Sequence, residues 1–120
     1  GQTAAVEVGR KVVWTDPAAE DVVETVEYIA KDSPSFAATL AQRICDAGDS
    51  LEDFSERGRP YPDPAYPGFR ELLVGPYRLV YEVEDERVVI HGVFHGNRQV
   101  ERAVRKRAAP RGPRGRRTRR

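Results

Sequence analysis

The first apolar run is short. Lys11–Thr15 (KVVWT) alternates β-branched and aromatic residues and ends at Asp16-Pro17, which predicts a brief strand. Asp16 is a helix-capping residue type and Pro17 suits a first helical turn, so a helix is expected to start there. Ala19, Val22, Val23, Val26, Ile29 and Ala30 then recur at three-and-four spacing, while Glu20, Asp21, Glu24, Glu27 and Lys31 fill the other side. That is an amphipathic helix of about four turns. Ser33-Pro34 gives a second start, and Phe36, Leu40, Ile44, Ala47, Leu51 and Phe54 repeat at the helical period over roughly 35–54. The short link makes the two helices antiparallel neighbours. Cys45 lies beside the second stripe and is expected to be packed rather than reactive.

Residues 55–68 hold four prolines and read as a loop. Its Arg57, Arg59, Tyr61 and Tyr66 suit either contact with a partner or a rigid strap under a sheet. From 69 to 95 the signal is all strand: FRELLV, Gly75-Pro76, YRLVYEV, EDER, VVIHGVFH. This predicts a three-stranded meander, and the whole order is β-α-α-β-β-β. The fold class is therefore α+β, with the helical hairpin on one face of an antiparallel sheet. A turn centred on Asp85-Glu86 pairs Val83 with Val88, Tyr81 with Ile90, Leu79 with Gly92 and Tyr77 with Phe94. That apolar face should lie under the helices, and Gly92 should leave room there for a helix to approach. Arg78, Val80, Glu82, Val89, His91, Val93 and His95 should share the opposite face, left without helices.

Charge adds a division that the pattern does not show. The 120 residues carry a net charge of +1, but residues 1–100 hold 10 basic and 18 acidic residues, and residues 101–120 hold 10 basic and one acidic. The expected organisation is an N-terminal extension over 1–10, one domain over 11–100 and a basic tail over 101–120. Over 100–109, Val100, Ala103, Val104 and Ala108 suit a weak helix that runs into the tail. The last ten residues hold six arginines among Pro and Gly, including Arg114, Arg116, Arg117, Arg119 and Arg120, and read as a disordered polycation. Such a run contacts nucleic-acid phosphates, remains solvated or folds back on the acidic body. No apolar run reaches the length of a membrane span, so no membrane is expected. The single cysteine excludes an internal disulfide and fits a reduced, cytoplasmic setting.

Candidate chemistry gathers around His91, His95, Arg78, Glu82 and Arg98. The two histidines are about 13 Å apart along a strand, too far to chelate one ion together, so neither a metal nor another cofactor is expected. No phosphate loop and no nucleophile elbow occurs. Phosphodiester cleavage remains conceivable: Arg78 and Arg98 would hold a phosphate and His95 would act as base or acid. The plainer reading makes Arg78 and Glu82 an ordinary surface ion pair.

Five pieces in order carry a resemblance: VVWTDPAAEDVVETVEYIAKDSP, LAQRICDAGDSLEDFSERGRPYP, GFREL, PYRLVYEVEDERVVIHGV and FHGNR. Together, over roughly 12–98, they resemble the RelE/ParE superfamily of type II toxin–antitoxin toxins. The resemblance implies a helical hairpin on an antiparallel sheet, a cognate antitoxin as partner, and one of two actions. RelE-like members are ribosome-dependent endoribonucleases that cut mRNA; ParE-like members inhibit DNA gyrase. Arg78 and Arg98 match two arginines of the nuclease pattern, and Arg70 stands near one of its strand lysines. A second lysine position falls on Leu72, and a tyrosine position falls near Val104. The long hairpin, the SERGRP exit and the HGNR ending are more similar to the ParE side. The expectation is a ParE-like toxin acting on DNA gyrase, with Arg59, Arg70, Arg78, His95 and Arg98 as contact residues. The alternatives are a ribosome-dependent nuclease using Arg78, Arg98 and His95, or a non-toxic homologue whose basic tail binds nucleic acid.

Overall fold

A computed structural model of the chain describes residues 9–96 and 99–110. Strand β1 (Lys11–Trp14) leads into α1 (Asp16–Ala30) and α2 (Pro34–Asp49), which ends in a 3-10 turn at Ser50–Glu52. Strands β2 (Arg59–Pro60), β3 (Phe69–Val74), β4 (Tyr77–Val83) and β5 (Arg87–His95) follow, and α3 (Val100–Arg107) closes the described chain. The sheet order is β1-β5-β4-β3-β2. The meander is antiparallel as expected, and β1 joins its edge in parallel with β5. Among the described residues no helix is long and apolar enough to cross a membrane.

Local chemistry sets the helix starts. Thr15, rather than Asp16, caps α1: its Oγ1 accepts from the Ala18 N–H at 3.2 Å. Asp16 instead places negative charge in the first turn, where the helix dipole favours it. Ser33 caps α2 through the Phe36 N–H at 3.3 Å.

The hairpin covers one face of the sheet. Leu40, Ile44 and Leu51 from α2 and its exit meet Leu79, Tyr81, Val88 and Ile90 from β4 and β5. Each such aliphatic side chain contributes about 1.5–3 kcal/mol by leaving water. Gly48 belongs to this contact, because a Cβ there would overlap the Trp14 ring. The apolar stripes are narrower than their sequence suggests. Val23 of α1, Phe36 of α2 and Phe54 beyond it are exposed, and the buried face of α2 includes Ala37 and Gly48. Cys45 is also exposed, correcting the expectation of a packed thiol. Partial burial, then the carboxylates of Asp49 and Asp46, raise its pKa and disfavour the thiolate.

Two larger corrections concern the other face. Val83 pairs with Val88 and Tyr81 with Ile90 as expected, but the register then slips. His91 is an extra residue in β5, so Val80 meets Gly92, Leu79 meets Val93 and Tyr77 meets His95. Val93 thereby joins the hairpin core, while Phe94 turns to the opposite side. Gly92 serves that opposite side too: a Cβ there would overlap the Phe94 ring and crowd Arg107.

That opposite face is not bare. Val100, Val104 and Ala108 of α3 and its exit pack on Val80, Phe94 and Phe69 together with Tyr61 and Tyr66 of the proline loop, forming a second core. The expected free tail is therefore a docked helix over its first part. Its last ten residues, with Arg114, Arg116, Arg117, Arg119 and Arg120, lie outside the described residues. The loop behaves as the strap reading required for its tyrosines: the Tyr66 hydroxyl donates to the Ala108 carbonyl at 3.3 Å. Burial, then the nearby Glu101 carboxylate, pushes Tyr61 up from 10 to about 12. The folded state thus favours the neutral phenol. Its contribution is intact below pH 10 and is lost as pH rises toward about 12. Urea midpoints measured through that window should fall less steeply in Tyr61→Phe than in the parent; equal slopes would show that Tyr61 is not responsible.

Candidate functional site

Among the described residues, the polar side chains of the sheet gather around two carboxylates, Glu71 and Glu82. Glu71 sits in β3 between Arg70 and Leu72, with its side chain 2% exposed. Arg78 Nε donates to Glu71 Oε1 at 2.7 Å, and its Nη2 contacts the same oxygen. Arg59, on the edge strand β2, reaches Glu71 Oε2 with its Nε at 3.0 Å. One buried carboxylate therefore holds two arginines, Arg78 from within the protein and Arg59 from solvent. Arg78 is 7% exposed, so little of its guanidinium faces solvent.

Glu82, expected to pair with Arg78, instead faces His91, whose Nε2 lies 3.2 Å from Glu82 Oε1. The His91 ring stacks on Phe69 with centroids 5.0 Å apart. The bulge separates the two histidines. His95 is exposed and meets Tyr77 edge-on at 5.1 Å, on the hairpin side of the sheet. Arg78 and His95 thus lie on opposite faces, and the structure does not bring them together. Arg70 also points to the hairpin side, where its Nη1 donates to the Gly58 carbonyl. Arg98 lies outside the described residues.

Two features were not singled out from the sequence. Arg107 of α3 grips Asp21 of α1 with both nitrogens, at 2.7 and 3.1 Å, and also donates to the His91 carbonyl at 3.0 Å. Asp21 in turn accepts from the Val93 N–H at 2.9 Å, so one ion pair ties both helices across the bulge. An apolar period had marked α3, but nothing local paired position 107 with position 21. The second feature is an open cavity of about 820 Å³ beside the exit of α2, lined by Arg10, Ser50, Phe54, Ser55 and Arg57. Arg10 is anchored there to the Ser55 hydroxyl at 2.9 Å, and Arg57 to Ser50 at 2.8 Å. Only the exposed Phe54 hints at it in the sequence. Among the described residues no group of three His, Cys, Asp or Glu side chains is placed to hold a metal ion.

Residues 12–100 match the family described as the ParE toxin of the type II toxin–antitoxin system parDE. The chain is 39% identical over 89 residues to Toxin RelE2 of Caulobacter vibrioides, covering 73% of this chain and 97% of that protein. It is 33% identical over 92 residues to the putative toxin Y4kP of Sinorhizobium fredii, covering 75% and 92%. Its fold is similar to a solved chain from the chromosomal ParDE system of P. aeruginosa, with a TM-score of 0.63 and 22% identity over 74% of this chain and 98% of that one. The ordered motifs, the hairpin-on-sheet architecture and these matches agree: the chain belongs to the ParE toxin family, within the RelE/ParE superfamily of type II toxin–antitoxin toxins.

Proposed function

We propose that this toxin acts in the ParE manner, by binding DNA gyrase and blocking its supercoiling, and that a cognate antitoxin neutralises it. One observation carries the choice of target. Among the described residues, two of the three nuclease candidates stand apart: Arg78 is held by the buried Glu71, and His95 stands on the other face of the sheet. By the resemblance, the second lysine position of the nuclease pattern falls on Leu72 and its tyrosine position near Val104, and both residues are buried in the two cores. Cleavage would need a base and a cation on one side of the phosphate, and His95 and Arg78 lie on opposite faces. Inhibition by contact needs only an exposed surface. Of the contact candidates, Arg59 is exposed on an edge strand and His95 at a strand end.

The antitoxin partner follows from the family, and the similar solved chain comes from a ParDE system. We take it to be a small protein with a segment that folds on this surface. A second reading, ribosome-dependent mRNA cleavage, draws on the relative named Toxin RelE2. One parallel experiment separates them. Purified toxin is expected to inhibit gyrase supercoiling of relaxed plasmid, with relief by antitoxin and a weaker effect from Arg59→Glu. Intact supercoiling at saturating toxin, with mRNA fragments in a translating extract, would give the second reading instead.

A further inference from the structure

Helix α3 has two faces of opposite character. Val100, Val104 and Ala108 are buried against the sheet. Arg102, Arg105 and Lys106 point to solvent, and none has a carboxylate partner among the described residues. The fourth cation of the helix, Arg107, is already committed to Asp21. Because that carboxylate is bonded twice by Arg107, it offers little free negative charge to an approaching anion. Arg102 and Lys106 also border an open groove of about 520 Å³ between α3 and α1, with Phe94 at its floor.

We infer that the outward face of α3 binds double-stranded nucleic acid through its backbone phosphates. Three arguments select this partner. First, the face offers cations without an apolar anchor. A protein interface draws its energy from buried aromatic or aliphatic side chains and is depleted in lysine at its centre. An interfacial membrane helix needs a free apolar face, and the apolar face of α3 is spent on the second core. Second, the helix sets two of the cations in a row. Arg102 and Lys106 stand one turn apart, with Cβ atoms about 5–6 Å from each other, beside a duplex strand that presents a charge every ~3.4 Å of axis. Single-stranded sites add aromatic platforms for bases, and the exposed positions of α3 carry none. Third, the sequence that follows the helix adds six arginines in ten residues and no acid. The net −8 of residues 1–100 makes this end the place where a polyanion meets least repulsion. The inference stands apart from the gyrase reading, since an inhibitor of another target would carry the same face.

The test uses the full chain and a triple variant, Arg102→Gln, Arg105→Gln and Lys106→Gln. All three side chains are exposed, so the variant should keep the parent's thermal midpoint. Binding to a short mixed-sequence duplex DNA is measured by fluorescence anisotropy across a salt series, beside duplex RNA and single-stranded DNA of equal length. The slope of log affinity against log salt should be shallower by up to about 2.7 in the variant, at about 0.9 for each phosphate that a side chain no longer neutralises. The affinity gap between parent and variant should then narrow by about 40-fold between about 50 and about 200 mM salt. Both duplexes should respond, and the single strand should bind more weakly than either. An unchanged slope in the variant overturns the inference, and so does tighter binding of the single strand.

Discussion

Replacing Glu71 with alanine is expected to cost the fold about 3–5 kcal/mol, the usual penalty for removing one partner of a buried ion pair. The reason lies in what remains. Arg78 is only 7% exposed, and its Nε and Nη2 are both set against the carboxylate that the substitution deletes. For a domain of this size the thermal midpoint should fall by more than about 10 °C. Arg59→Ala provides the contrast. Its side chain is 63% exposed, so the same carboxylate loses only a solvent-screened partner, and the cost should stay below about 1 kcal/mol. The double variant Glu71→Met with Arg78→Met should recover most of the loss, because a pair of apolar side chains needs no counter-charge. Chemical denaturation of the four proteins decides the matter. A loss below about 1 kcal/mol for Glu71→Ala would mean that the guanidinium finds water, contrary to its burial. The double variant also bears on function. A folded protein without Arg78 that still inhibits supercoiling would place that arginine outside the working surface.

Tyr81→Phe removes a single oxygen and is expected to cost on the order of 3 kcal/mol, since each buried polar group left unpaired costs about 1–3 kcal/mol. The Tyr81 side chain is fully buried. Its hydroxyl donates to the Ser55 carbonyl at 2.8 Å and accepts from the Gly58 N–H at 2.8 Å. These bonds fasten the start of the proline loop beneath the sheet. Gly58 is required there, because a Cβ would crowd both the Glu71 carbonyl and the Tyr81 hydroxyl. The segment between the anchors presents Arg57, and the segment just beyond presents Arg59. Tyr81→Phe should therefore raise amide exchange over 55–59 more than over α1, whereas Leu79→Ala should loosen the shared core broadly. Equal exchange in the loop of Tyr81→Phe and the parent would remove the anchoring argument.

The hairpin and meander were legible because their periods are regular and their borders carry Thr, Ser, Asp, Gly and Pro. The opposite face of the sheet was misread for a physical reason. Arg78, Glu82 and His91 on one side suggested solvent, but charge at a strand position reports solvent only when it is unmatched. Here Glu71 neutralises Arg78 and His91 faces Glu82, so the same surface accepts a helix. The apolar period of α3 was visible, while its destination was not, because the carboxylate that receives Arg107 lies 86 residues earlier. The bulge was hidden for another reason: residues 88–94 are apolar at nearly every position, so alternation offered no register to follow. The candidate site suffered most from that slip. A regular strand would have set His95 on the side of Arg78; the inserted His91 sends it to the other.

That inserted residue also changes how variation along β5 should be read. The strand behaves as two short segments of opposite phase joined at His91: before it, even-numbered positions feed the hairpin core, and after it odd-numbered ones do. A substitution at Val93 and one at Phe94 therefore test different cores, although they are adjacent. Deleting one residue here would not shorten a loop. It would turn the end of the strand over, aiming Val93 at α3 and Phe94 at the hairpin, and it would carry away the backbone carbonyl to which Arg107 is fastened. A gap at this position between two relatives marks a change in wiring between the molecule's halves, even where every aligned residue type is retained.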